Sequence, residues 1–178
     1  MAMRKLLLAI LLLATLTSVS RAQSWFERAG INAFFGVTPS TQDFVNQVAL
    51  GEMFEVELAR LANERAGEKT KTFAAQLLKD HRETSAHMKS LVQTGRVKVS
   101  LPTALGADEL KTLARLKTLT PLEFDKEFES LQSSLHKQSI SLFERYGSGG
   151  DHPDLKAFAY RHLPHLLEHW RLAQSLTQ

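Results

Sequence analysis

The chain has 178 residues, no cysteine, and 22 Lys and Arg against 19 Asp and Glu, for a formal net charge of +3. Because there is no cysteine, disulfides and a cysteine-borne lipid anchor are excluded, and stability must come from a buried core. Arg4, Lys5 and Arg21 lie within residues 1–22, which hold no acid, so 19 cations balance 19 acids in the remainder. This neutral remainder argues against a nucleic-acid partner and against binding to an anionic membrane.

Residues 1–22 have the composition of a cleavable secretory signal peptide. Arg4 and Lys5 precede an uncharged stretch rich in Leu and Ala, and Ser20 and Ala22 are the small residues expected before cleavage at Gln23. The apolar stretch is too short for a spanning helix, so we expect export to the periplasm and no membrane span after cleavage. The alternative is an uncleaved N-terminal anchor.

The rest of the chain is predicted to be all-α, an antiparallel four-helix bundle over residues 40–176. Apolar residues recur at helical spacing, and no run of strand alternation is convincing. Cap and stop residues predict long helices from Ser40 to Gly67, 68 to 94, Thr120 to 146 and Asp151 to 176, with a short crossover helix at 107–119. Residues 23–39, which contain Trp25 and Phe26, are predicted to form an N-terminal amphipathic segment that packs on the bundle, with docking to a membrane as the alternative.

Polar residues occupy positions on every long helix where a bundle core should be apolar. They are Glu55 on the first helix, Asp80 and His81 on the second, His136 on the third, and His162, His165 and His169 on the fourth. A buried charge is costly unless it is paired, so inward Glu and His predict a polar network or a metal site.

Counting residues from the turns predicts which of these side chains share a level. With Gly67 as the first turn, His81 lies opposite residue 53. With Gly149 as the second turn, His136 lies opposite His162, and His169 is one to two turns further along. No Glu-x-x-His pair occurs, which argues against a di-iron site of the usual bundle type and leaves a mononuclear site of His and carboxylate.

The ordered set of motifs resembles domain-of-unknown-function family 4142. The residues that carry the resemblance include Phe44, Glu55 to Ala59, Phe73-Ala74, Asp80-His81, Leu101-Pro102, Phe124-Asp125, His136, Leu155 to Ala159, Leu163-Pro164 and Glu168-His169. The resemblance implies an exported bacterial protein with a ferritin-like bundle, often labelled an outer membrane protein, and no established activity. It marks Asp80, His81, His136, Glu168 and His169 as characteristic polar positions. Leu135 departs from the family, which often has an acid before this histidine.

Two hypotheses follow for function. The first is metal binding or envelope stress protection, with a transition metal ion held by Glu55, His81, His136 and His169, and with Asp80, His162, His165 and Glu168 as additional candidates. The second is a non-catalytic interaction or structural module of the cell envelope, in which the histidines form a hydrogen-bond network. Its partner would be an envelope protein or a second copy of the chain. Glu52, Glu57, Glu64 and Glu83 are expected to be ordinary solvated charges.

Overall fold

The computed structural model describes residues 36–176. Over this range the chain forms five helices and no strand, so the predicted all-α class is confirmed. The signal peptide and most of the N-terminal amphipathic segment lie outside the described residues. Within the described range, no helix is both long and apolar enough to cross a membrane.

The helix starts follow the local signals in the sequence. Helix α1 (Thr41–Arg65) begins after Ser40, whose hydroxyl accepts a hydrogen bond from the main-chain N–H of Asp43. Helix α4 (Pro121–Gly149) has a complete capping box, because the Thr120 side chain bonds the Glu123 N–H and the Glu123 carboxylate bonds the Thr120 N–H. The other helices are α2 (Glu68–Gln93), α3 (Ala107–Leu116) and α5 (Pro153–Leu176).

Two predicted helix ends are wrong. The short helix α3 stops at Leu116 rather than 119, and 117–119 form a turn bonded to the carbonyls of the last helical residues. Helix α4 was predicted to end at Tyr146, with residues 147–150 as a turn, but it continues to Gly149. Gly147 is buried there, and a Cβ would lie 3.2 Å from the ring of Tyr160. The glycine therefore allows a close approach of α5 instead of breaking the helix.

The helices pack along their length, α1 against α2 and α4 against α5, with further contacts between α1 and α4 and between α2 and α5. Their buried apolar side chains form two clusters. One contains Phe54, Leu77 and Phe128, and the other contains Phe44, Met88 and Phe158. Between the two clusters, each of the four long helices contributes buried polar residues. This polar layer contains the candidate site.

Candidate metal centre

Three histidines from three helices converge in the polar layer, and we call them the inner triad: His81 of α2, His136 of α4 and His169 of α5. Each offers one ring nitrogen that lies within 4.8 Å of those of the other two. The ring centroids are 5.2 to 5.5 Å apart, and no ring is more than 4% exposed. Imidazole nitrogens gathered in this way are a common donor set for transition metals.

Two of the rings are held by carboxylates. The Nδ1 of His81 donates to Oε2 of Glu52 at 2.9 Å, and the Nε2 of His169 donates to Oδ2 of Asp80 at 3.0 Å. A carboxylate can only accept, so these nitrogens carry protons. Such carboxylate–histidine pairs fix the ring orientation and the tautomer of metal-binding histidines in many proteins.

The third ring is held by the main chain. The Nδ1 of His136 donates to the carbonyl oxygen of Gln132 one helical turn earlier, at 3.0 Å. The side-chain amide of the same Gln132 donates to Oε2 of Glu55 at 2.7 Å. The other oxygen of Glu55 lies 3.9 Å from Nδ1 of His136. Glu55 therefore lies beside the inner triad, and burial raises the pKa of its carboxyl group against the opposing effects of His81 and Gln132.

These bonds leave one nitrogen of each ring without a carbonyl or carboxylate partner. The Nε2 of His136 and the Nδ1 of His169 face each other at 3.2 Å. The Nε2 of His81 is buried and has no hydrogen-bond partner among the described residues. The second nitrogen of a neutral imidazole is a lone-pair acceptor, so the contact between His136 and His169 needs a positive charge to bridge it.

The pKa values of the three rings differ. Burial lowers the pKa of His81, but the charge and hydrogen bond of Glu52, with Glu55 and Asp80, outweigh burial and raise it to about 9. Burial and the charge of His81 lower the pKa of His169 to about 4. The same two effects, with the charge of His169, hold the pKa of His136 well below its usual range. Near neutral pH, His81 holds the one extra proton and the other two rings are neutral.

The remaining candidates lie apart from the inner triad. His162 is buried nearer one end of the layer, where its ring nitrogens contact Thr84 and His87 at 3.2 and 2.8 Å. His165 is exposed. Glu168 is paired with Arg171 on the same helix. The structure thus brings together His81, His136 and His169, places Glu55 and Asp80 against them, and does not bring His162, His165 or Glu168 to the same point.

Sequence reasoning missed two participants. Glu52 was expected to be solvated, and this was wrong, since it is 5% exposed and bonded to His81. The residue count placed His81 opposite residue 53, so the position of Glu52 beside His81 could have been inferred from the sequence. Gln132 carried no signal, because a lone Gln on an amphipathic helix does not indicate a role.

Comparison with known proteins gives a family and no activity. No curated protein matches the chain. No solved structure matches it either. The family described as "Domain of unknown function (DUF4142)" matches residues 30–176, which include every residue of the candidate metal centre. The match covers most of the chain, and the chain belongs to the DUF4142 family.

Proposed function

We propose that this protein is an exported helical-bundle protein that binds one transition metal ion at the inner triad. The observation that carries the proposal is the convergence of three imidazoles whose outward nitrogens are already bonded to Glu52, Gln132 and Asp80. The remaining nitrogens of His136 and His169 face each other, and Nε2 of His81 is buried with no hydrogen-bond partner within residues 36–176.

The spacing of the rings supports this proposal. Two imidazole nitrogens bound to one ion at about 2.0–2.1 Å in a tetrahedral arrangement lie about 3.3 Å apart. The nitrogens of His136 and His169 are 3.2 Å apart. One proton on His81 cannot satisfy this pair, because the facing atoms belong to the other two rings. A cation between the three rings would accept the lone pairs of His136 and His169, and that of His81 once its Nε2 has lost its proton.

The charges of the layer also support a cation. Glu52, Glu55 and Asp80 surround three rings that share one extra proton. A divalent ion would compensate these carboxylates, and burial without compensation is costly. Imidazole donors suit Zn, Cu, Fe or Ni, while Mg and Ca prefer oxygen ligands. When bound, such an ion would supply Lewis acidity or redox chemistry, and this chain's residues would orient it and exclude water.

A binding role fits the surroundings better than catalysis. The triad is almost fully buried between two hydrophobic clusters, so an ion there is sequestered. We further propose an antiparallel four-helix, ferritin-like bundle, supported by the short connections at 66–67 and 150–152 and by the helix pairs in contact. With the signal peptide, these features favour metal sequestration or stress protection in the periplasm.

Metal analysis of the exported chain, purified without a histidine tag, tests the proposal. We expect about one transition metal ion per chain and less than a tenth of that in His169→Gln, because an amide is a much weaker ligand for these ions than an imidazole. His152→Gln, which removes a histidine outside the layer, should keep the full content. Absence of stoichiometric metal after loading with Zn²⁺, Cu²⁺, Fe²⁺ and Ni²⁺ would sink the proposal. Fractionation of the source cell tests the location, which we expect to be the periplasm.

The second candidate is a non-catalytic module of the envelope with a purely structural network. The ion pair of His81 and Glu52, which are both buried, favours it, since the proton on His81 balances the charge of this carboxylate without a metal ion. This reading expects equal stability with and without a chelator. It also expects capture of an envelope protein or self-association that survives the His169→Gln substitution.

A further inference from the structure

The polar seam between α2 and α5 continues beyond the inner triad toward the surface. Along α2 it runs from Asp80 through Thr84 to His87, and on α5 it includes His162. His162 is 4% exposed, while His87 is only partly buried. The seam therefore joins a buried histidine to one that solvent can reach.

The hydrogen bonds of this seam have a definite direction. The Thr84 hydroxyl donates to the main-chain oxygen of Asp80 at 3.0 Å, so it accepts from Nδ1 of His162 at 3.2 Å. Burial, with the nearby charges of His87, His165 and Arg161, lowers the pKa of His162 to about 4, so the ring is neutral. Its Nε2 is then a lone pair, which accepts from Nδ1 of His87 at 2.8 Å.

We propose that His87 and His162 form an outer site for a divalent transition metal ion, from which the ion passes to the inner triad. The transfer of the ion to the inner triad rests on the function proposed above, whereas the outer site rests on the His87–His162 pair alone. To bind an ion, His87 moves its proton from Nδ1 to Nε2, and the freed Nδ1 and the Nε2 of His162 become the two ligands. No proton is lost overall, and the two nitrogens would move apart from 2.8 Å to about 3.3 Å.

The outer site lies close to the inner triad along both α2 and α5. His87 follows His81 by six residues on α2, which is about 9 Å along the helix. Asp80 connects the two sites. Its carboxylate accepts a hydrogen bond from His169, and its main-chain carbonyl accepts one from Thr84. On α5, His162 and His169 are two turns apart, so both helices offer imidazoles at each end of the same short path.

The charges around the outer pair predict weaker binding there than at the inner triad. Arg161 and Arg96 act on His87 with positive charge, and Glu83 acts on it with negative charge. His165, whose ring centre is 6.4 Å from that of His162, adds a further imidazole at the exposed end. The outer pair offers two nitrogen ligands near positively charged arginines, so we expect it to bind an ion weakly. The inner triad offers three nitrogens with carboxylates beside them, so we expect it to bind an ion tightly.

Binding and loading of Co²⁺ by the full exported chain, without a tag, tests this inference. Equilibrium dialysis gives the number and strength of the sites, and the rise of visible Co²⁺ absorption gives the rate of loading. The test variant is His87→Gln, whose amide keeps a donor for Nε2 of His162 but provides no imidazole. The control is His152→Gln. We expect wild type and control to bind one tight and one weaker ion, and the test variant to lose the weaker ion and load the tight one about tenfold more slowly.

The outcomes separate the two proposals. If His87→Gln binds and loads Co²⁺ like wild type, the outer site is overturned, while a tight ion that His169→Gln abolishes keeps the inner site. If only a weak ion that depends on His87 is found, the outer site holds and the inner site fails. If His87→Gln loses the weaker ion but loads the inner triad at the wild-type rate, the outer pair binds metal and its role in loading is overturned.

Discussion

His81 is the residue at which a proton would compete with the proposed metal ion. Its pKa of about 9 comes from Glu52, Glu55 and Asp80, which outweigh the effect of burial. The same carboxylates attract a divalent cation, and an ion bound at Nε2 requires that nitrogen to lose its proton. The proton on His81 thus balances the charge of the carboxylates but leaves the lone pairs of His136 and His169 facing each other, whereas an ion would serve both needs.

Metal binding should consequently release about one proton near pH 7. Because the folded pKa of His81 lies near 9, the proton competes at every pH below that value. Apparent affinity for Zn²⁺ should rise about tenfold per pH unit between pH 7 and 9 and level off above. Calorimetry in buffers of different ionisation enthalpy measures the released proton. Binding without proton release would contradict the assignment of the extra proton to His81.

Glu52 holds the ring of His81, so its charge should matter to the metal. In Glu52→Gln the ring loses a charged acceptor, and we expect Zn²⁺ affinity to fall about 10–100-fold, as for other groups that orient metal ligands. Competition with a chromogenic chelator measures this loss. The matched control is Glu57→Gln on the same helix, where the exposed carboxylate pairs with Arg60. Equal affinity in both variants would show that Glu52 does not support the site.

At the scale of the helices, one side chain of α4 accepts a hydrogen bond from the main chain at the start of α2. Gly67, the N-cap residue of α2, has no side chain, and its main-chain N–H donates to the carboxylate of Asp125 at 3.1 and 3.2 Å. A donor at a helix start that finds an acceptor on another helix ties the two together. Asp125 thus helps set the position of α2, and with it that of His81.

Replacing Asp125 by Ala should lower the free energy of unfolding by about 1 kcal/mol, the usual value of a lost helix cap. The loss should not be larger, because water can reach the partly buried N–H once the carboxylate is gone. Urea denaturation followed by circular dichroism measures it. Lys126→Ala changes the exposed neighbour and should leave stability within about 0.5 kcal/mol. A loss equal to that of the control would show that the bond contributes nothing.

The helices were predictable because their caps are local, whereas the level at which their side chains meet was not. Taking Gly149 as the turn placed His136 opposite His162. In the structure α4 runs through Gly149 and α5 begins at Pro153, so the centre of the turn lies near residue 151. Each residue by which this centre shifts moves the residue of α5 that faces His136 by two positions. The corrected count still does not reach His169, the residue that contacts His136. That last offset is set by the angle at which α4 and α5 pack, which the sequence does not give. His81, with a short turn at Gly67, was placed correctly beside Glu52.

For the whole molecule, the inner triad divides the core. Apolar clusters on either side give the domain its cooperative stability, while the polar layer between them adds little until its charges are balanced. The cost of this layer is greatest where the nitrogens of His136 and His169 face each other. We therefore expect the folded domain to exist without metal and to be less stable in that form.

Thermal unfolding of the chain without residues 1–22 measures this difference. At a free Zn²⁺ concentration about 100 times the dissociation constant, an ion bound only by the folded state adds about 2.7 kcal/mol. In a domain of this size that raises Tm by roughly 10 °C relative to protein held in a chelator. His169→Gln should show nearly the same Tm with and without Zn²⁺, because the third donor is missing, whereas His152→Gln should respond like wild type. A Tm of wild type that Zn²⁺ leaves unchanged would favour the structural network, in which the proton on His81 balances the buried carboxylates without a metal ion.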